Sequence, residues 1–129
     1  MPHVIVEYSS NIEAEIAPER LVEEIHRAAI ASRIAEPVAV RTRLKRREHY
    51  RVGDGSAENA FVHIDIRARK GRTVEQKKHA VQTIYDQANT TLEPVFRARP
   101  LALTVEIHEI DPETRLLRNG MRERQASAA

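Results

Sequence analysis

The chain has 129 residues, 41% of them hydrophobic and 31% charged, which suits one soluble domain with a single core. It has no cysteine, which excludes disulfides, thiolate nucleophiles and cysteine-based zinc sites and fits a cytoplasmic protein. No apolar run approaches the roughly 18 residues that a membrane span needs, so we expect neither a membrane partner nor a signal peptide.

The first half of the chain predicts a strand, a helix and a second strand. Residues 3–8 (HVIVEY) are rich in β-branched side chains, which favour a strand. A helix is predicted over residues 18–32, because proline suits a first helical turn and apolar residues recur at helical spacing. Alternation predicts a strand over residues 38–44, and the basic residues that continue to Arg51 predict a strand extension or a hairpin arm.

The second half repeats this plan after a turn at residues 52–56 (VGDGS). Residues 61–68 alternate as a strand. Thr73 and Gln76 have the spacing of a capping box, which predicts the start of a second helix. The predicted apolar stripe of this helix consists of Val74, Val81, Ile84, Ala88 and Leu92.

The end of the chain predicts one further strand. Pro94 should kink or end the second helix, because its ring clashes with the preceding turn. Residues 101–107 alternate most clearly of all, with Leu101, Leu103, Val105 and Ile107 inward. The pattern is lost from about Asp111, and residues 125–129 should form a loose tail.

These elements predict a single α+β domain of two layers, built from tandem β-α-β units. Each crossover helix makes its two strands parallel, so a four-stranded mixed sheet should carry both helices on one face. The pseudo-repeats span residues 1–56 and 57–112, with a C-terminal extension over residues 113–129. The opposite face mixes polar and apolar side chains, which predicts either a closed oligomer of sheets packed together or a two-layer sandwich with a solvated face.

Several short segments, in order, carry a resemblance to a known family. They are PHVIVEYS at residues 2–9, VRTR at 40–43, AFVH at 60–63, GRT at 71–73, LAL at 101–103 and EI at 106–107. Their order and spacing, from Pro2 to about Pro112, resemble 5-carboxymethyl-2-hydroxymuconate isomerase of the tautomerase superfamily. The resemblance implies a homotrimer and a 1,3-proton shift, without a cofactor, in a small anionic 2-hydroxy diacid. It also implies a role in catabolism of aromatic compounds such as homoprotocatechuate.

The resemblance also implies the roles of particular residues. Pro2 corresponds to the family's catalytic base, while Arg41 and Arg72 correspond to arginines that hold substrate carboxylates; Arg43, on the same strand face as Arg41, is a weaker candidate. Burial and nearby guanidinium groups would keep a prolyl amine neutral, as a general base requires. This role requires removal of Met1, because the Pro2 nitrogen is otherwise an amide. Without the resemblance, Pro2 is only a first residue and each arginine a solvated edge charge.

Two alternatives stay open from the residues. Residues 41–51 (RTRLKRREHYR) hold six basic residues against one glutamate, which could bind a polyanion. Aromatic residues are only 4% of the chain, which disfavours nucleic acid. The other alternative is a non-catalytic oligomer of the same fold. None of the six histidines has metal-ligand spacing, so no metal site is predicted. Residues 45–51 and the segment after Pro112 depart from the family pattern and could reshape the pocket rim.

Overall fold

A computed structural model describes residues 2–128 of the chain. The strands are β1 (His3–Ser9), β2 (Arg41–Arg47), β3 (Ala60–Arg69) and β4 (Leu101–Ile110). The helices are α1 (Pro18–Ala31), α2 (Val74–Ala98) and α3 (Gly120–Ala128). Short 3₁₀ turns lie at Ser10–Ile12, Pro37–Ala39 and Pro112–Thr114. In this part of the chain, no helix is both long and apolar enough to cross a membrane.

The four strands form one mixed sheet in the order β2-β1-β3-β4. β1 runs parallel to β2 and β3 runs parallel to β4, while β1 and β3 are antiparallel. Each parallel pair flanks one crossover helix, so the predicted tandem β-α-β plan and the α+β class are confirmed. His3 lies opposite Arg41 on one neighbour and Arg67 on the other, so β1 begins where β2 begins and where β3 nears its end.

The core lies between one face of the sheet and helices α1 and α2. Apolar side chains at every second strand position meet those at helical spacing, as the alternation predicted. Fully buried members are Val4, Val6, Val62, Ile64 and Ile66 on the strands, Ile25 and Ala29 on α1, and Ile84, Ala88 and Leu92 on α2. Burial of a large aliphatic side chain contributes about 1.5–3 kcal/mol, so these contacts fix the two-layer arrangement.

The second strand and the second helix differ from prediction in their bounds. β2 begins at Arg41 because Pro37–Ala39 forms a 3₁₀ turn, in which Val40 donates its N–H to the Pro37 carbonyl over 3.2 Å. The strand then extends through the basic run to Arg47. Pro94 does not end α2, which continues to Ala98 because Leu92 and Val95 are buried on either side of it.

Other predictions were wrong at the helix surface and at the tail. Val74 is 55% exposed, and the α2 stripe instead includes Ala80. The structure has a third helix, α3, in addition to the two expected. Residues 125–128, predicted as a loose tail, belong to this helix. Ala129 lies outside the described residues. No residue of α3 is buried, which explains why apolar periodicity did not reveal it.

Candidate active site

Pro2 is buried at the end of the sheet where the inner strand β1 begins. Its side chain is less than 2% exposed, and its carbonyl accepts the N–H of Arg41 over 3.1 Å. The pairing of β1 with its two neighbours, continued outward from His3, sets Pro2 between Val40 and Ala68. The bond from Arg41 therefore joins the backbone of Pro2 to the start of β2.

A cavity of about 260 Å³ lies at this end of the sheet. Ala39, in the turn before β2, and Arg69, the last residue of β3, both line it. Its other lining residues are Ala35, Glu36, Arg72, Arg115, Leu117 and Arg122. Four arginines therefore face one glutamate, a charge balance that favours an anion such as a carboxylate. Pro2 itself is not among the lining residues, although its strand position adjoins them.

Arg72 reaches the cavity in a fixed orientation. Its Nε–H donates to the Ile34 carbonyl over 2.8 Å and its Nη1–H donates to the Arg69 carbonyl over 3.2 Å. These bonds use two of the five guanidinium N–H groups. The predicted capping box is confirmed directly after it: Gln76 N–H donates to Thr73 Oγ1 over 3.1 Å, and Thr73 N–H donates to Gln76 Oε1 over 2.9 Å. The start of α2 thus holds Arg72 in place.

Arg41 and Arg43 lie on the sheet face that points away from the helices, beside His3 rather than on the cavity wall. Arg43 Nη1 is 3.1 Å from His3 Nδ1. Burial lowers the pKa of His3 below 6.5, and the guanidinium groups of Arg43 and Arg41 lower it further. The structure therefore brings one predicted arginine, Arg72, to the cavity and gathers the other two around His3.

The C-terminal segment supplies cavity residues that sequence reasoning missed. Arg115 and Arg122 line the cavity, and Arg122 Nη2–H donates to Glu36 Oε2 over 3.0 Å. Asn119 is only 8% exposed and accepts the N–H groups of Met121 and Arg122 on its Oδ1 over 2.9 and 3.3 Å, which caps α3. Asn119 followed by Gly120 was the available signal, since asparagine is a favoured N-cap residue.

Comparison with known proteins decides the family. A sequence model described as 5-carboxymethyl-2-hydroxymuconate isomerase matches residues 2–125. The chain belongs to the 5-carboxymethyl-2-hydroxymuconate isomerase family. As a member of this family it is an isomerase. The match continues past Pro112, so the C-terminal segment is part of the family pattern and the expected end of the resemblance was wrong.

Individual relatives agree with this membership. The 5-carboxymethyl-2-hydroxymuconate Delta-isomerase of Escherichia coli is 28% identical over 121 residues, covering 94% of this chain and 96% of that protein. A crystal structure of a 5-carboxymethyl-2-hydroxymuconate isomerase from Deinococcus radiodurans R1 has a TM-score of 0.88 at 25% identity, covering 96% and 93%. A fused 4-OT structure, named a symmetric trimer, has a TM-score of 0.66 at 20% identity, covering 91% and 92%. The last shows the shared fold alone.

The basic run of this isomerase-family chain is partly neutralised in the fold. Arg47 Nε lies 2.8 Å from Glu7 Oε2, and Arg46 Nε lies 2.6 Å from Glu48 Oε1. Arg46 also lies 3.7 Å from Glu13. These pairs reduce the charge that residues 41–51 could offer a polyanion. Among residues 2–128, no three metal-ligating side chains are grouped in a way that could hold an ion.

Proposed function

We propose that the chain is an isomerase that uses Pro2 as a general base for a 1,3-proton shift, without a cofactor, in an unsaturated 2-hydroxy dicarboxylic acid. The observation that carries this proposal is the buried Pro2 before β1, whose carbonyl bonds to Arg41, two residues after Ala39 of the cavity with four arginines. The names of the relatives support a substrate resembling 5-carboxymethyl-2-hydroxymuconate, in which a carboxymethyl group adds a third carboxylate to the 2-hydroxy diacid. On this proposal the enzyme acts in cytoplasmic catabolism of aromatic compounds such as homoprotocatechuate.

The proposed chemistry begins with removal of Met1, which gives Pro2 a free secondary amine. The neutral amine takes the proton of the enol hydroxyl and returns a proton to a carbon further along the conjugated chain. Burial and adjacent guanidinium groups both disfavour a charged amine, so they favour the neutral base. Proton transfer by a positioned side chain contributes about 10²- to 10⁴-fold to such a rate.

Substrate binding on this proposal depends on arginine side chains at the end of the sheet. Arg72 is held by two backbone carbonyls before any ligand arrives, so little conformational entropy is lost when it receives a carboxylate. Arg41 and Arg43 would contact a substrate that extends from the cavity towards His3. Guanidinium groups near the reacting centre would also stabilise negative charge that develops on a dienolate oxygen.

The proposal includes a homotrimer in which the sheet faces that carry His3 pack together. That face holds polar groups in close pairs, including the ion pair of Arg67 with Asp65 at 2.9 Å and the contact of His63 Nε2 with Glu106 Oε1 at 3.1 Å. Ile5, on the same face, is only 5% exposed in the single chain. Such a face is better suited to a specific assembly than to solvent, and a related fold is named a symmetric trimer.

The test combines intact mass with a kinetic comparison. Mass spectrometry first identifies the fraction of chains that lack Met1. Ultraviolet assays with 2-hydroxymuconate and phenylenolpyruvate then compare the wild type with Pro2→Ala and with Pro100→Ala, an exposed proline between α2 and β4. We expect kcat to fall at least about 10²-fold for Pro2→Ala and to be unchanged for Pro100→Ala. Equal rates for Pro2→Ala and wild type would rule out the proline mechanism.

A further inference from the structure

Arg115 stands apart from the other charged groups of the cavity. Its Nε and Nη1 atoms are buried, and neither has a hydrogen-bond partner among residues 2–128. A guanidinium group stays charged at any physiological pH, so it cannot escape this environment by losing a proton. Arg115 as a whole is half-buried, but a buried polar atom without a partner is costly, and such atoms in folded proteins nearly always have partners. The position therefore calls for an acceptor that residues 2–128 do not supply.

The neighbouring side chains are already engaged elsewhere. The cavity's one carboxylate, on Glu36, accepts from Arg122 over 3.0 Å. The Ile34 and Arg69 carbonyls accept from Arg72. These acceptors are therefore taken, and an anion in the cavity would be a suitable partner for Arg115. A guanidinium group only donates hydrogen bonds, and carboxylate oxygens are its favoured acceptors.

We propose that Arg115 binds a second carboxylate of the substrate, so that residues 112–122 determine specificity for dicarboxylates over monocarboxylates. This inference rests on the proposed function, since it assigns a residue to the same site. Arg72 enters the cavity from the start of α2, whereas Arg115 enters from the segment between β4 and α3. Two cationic anchors on separate elements hold both ends of a small diacid and leave its conjugated centre to face Pro2.

The kinetic test separates substrates by their number of carboxylates. It compares wild type, Arg115→Ala, Arg115→Lys and a matched control, Arg118→Ala, whose side chain is 86% exposed in the same segment. For Arg115→Ala we expect KM for 2-hydroxymuconate to rise about tenfold or more, with kcat/KM for phenylenolpyruvate within about twofold of wild type. For Arg115→Lys, which keeps the charge, KM for 2-hydroxymuconate should lie between the values of wild type and Arg115→Ala. Arg118→Ala should have the KM of the wild type.

A binding test distinguishes failure of this inference from failure of the isomerase proposal. Calorimetric titration with cis,cis-muconate, a dicarboxylate without the reacting hydroxyl, needs no catalysis. Weaker binding to Arg115→Ala than to Arg118→Ala supports the anion site even if the wild type isomerises nothing. An unchanged KM in an active enzyme, or muconate binding that is absent or equal in all variants, overturns it. Loss of the oligomer in Arg115→Ala, measured by light scattering, also overturns it, because Arg115 would then pair with a partner subunit.

Discussion

Asn119 Nδ2–H donates to the Val38 carbonyl over 2.8 Å, a bond that joins the C-terminal segment to the turn before β2. The same side chain caps α3 through its Oδ1. Because α3 buries none of its own side chains, hydrophobic packing does not hold it against the domain. One buried amide therefore joins the start of α3 to the turn before β2, and Arg122 adds a bond from α3 to Glu36.

Asn119→Ala should loosen the C-terminal segment without unfolding the domain. Loss of an N-cap costs about 0.5–2 kcal/mol, and here the bond to the Val38 carbonyl is lost with it. We expect faster amide hydrogen exchange over residues 113–128 and a higher KM for a dicarboxylate substrate. Gln125→Ala, an exposed change within α3, is the control. Unchanged exchange in Asn119→Ala would contradict the anchoring role.

Arg72→Ala should reduce both stability and activity. The change removes the donors to the Ile34 and Arg69 carbonyls, and hydrogen bonds to charged groups contribute about 1.5–3 kcal/mol when buried. Since Arg72 is partly exposed, we expect a loss of about 1–2 kcal/mol in the free energy of unfolding. Arg72→Lys keeps the charge but cannot make both bonds, so its kcat/KM should fall as well.

The control for Arg72 is Arg97→Ala, which removes an exposed ion pair with Glu93 on α2. Exposed pairs contribute little, so this variant should stay within about 0.5 kcal/mol of wild type. Denaturant titration at one protein concentration gives the comparison. Wild-type stability in Arg72→Ala would mean that the two carbonyl bonds do not hold this end of α2.

The sheet and its two core helices were predictable because their information is local and periodic. Alternation in β4 marked Val105 and Ile107 as inward, and both pack against the core. The spacing of Thr73 and Gln76 marked the start of α2 and with it the position of Arg72. The start of β2 was predicted at residue 38, before its actual start at Arg41. The alternation of these residues allows extended backbone, but Pro37–Ala39 forms a 3₁₀ turn instead.

The cavity residues of the C-terminal segment were not predictable, because no local or apolar pattern in the sequence marks them. The bond from Asn119 to Val38 spans 81 positions and depends on a single polar side chain. Arg115 and Arg122 follow no pattern that distinguishes them from surface arginines such as Arg118. Pro2 and Arg72 were candidates because their segments resemble the family, whereas Arg115 and Arg122 come to the cavity only when the chain folds back on itself.

His3 should make stability depend on pH. Burial, with Arg43 and Arg41 on β2 and Arg67 on β3, lowers its pKa below 6.5 in the folded state. As pH falls below about 6.5, the unfolded chain therefore binds more protons at His3 than the folded chain does. The contribution of neutral His3 to the free energy of unfolding is present above about pH 6.5 and is lost as pH falls through the folded-state pKa. His3→Gln should show a smaller loss of stability over that range.

The matched control for His3→Gln is His49→Gln, an exposed position beyond β2. Urea titrations at a series of pH values, at fixed protein concentration, measure the free energy of unfolding for each variant. An NMR titration of the His3 ring then measures its pKa directly. A ring that titrates at or above pH 6.5 would show that the guanidinium groups around it exert no net effect.

Arg115→Met should leave the ligand-free protein as stable as wild type or more stable. The guanidinium Nε and Nη1 are buried without acceptors, so the wild type bears a desolvation cost that an apolar side chain of similar length removes. We expect the free energy of unfolding to rise by as much as about 1 kcal/mol while KM for a dicarboxylate also rises, the trade-off typical of a binding residue. Saturating cis,cis-muconate should stabilise the wild type by mass action, and it should stabilise Arg115→Met by about 1.4 kcal/mol less for each tenfold loss of affinity. A variant destabilised by more than about 1 kcal/mol would mean that the guanidinium is already paired within the protein.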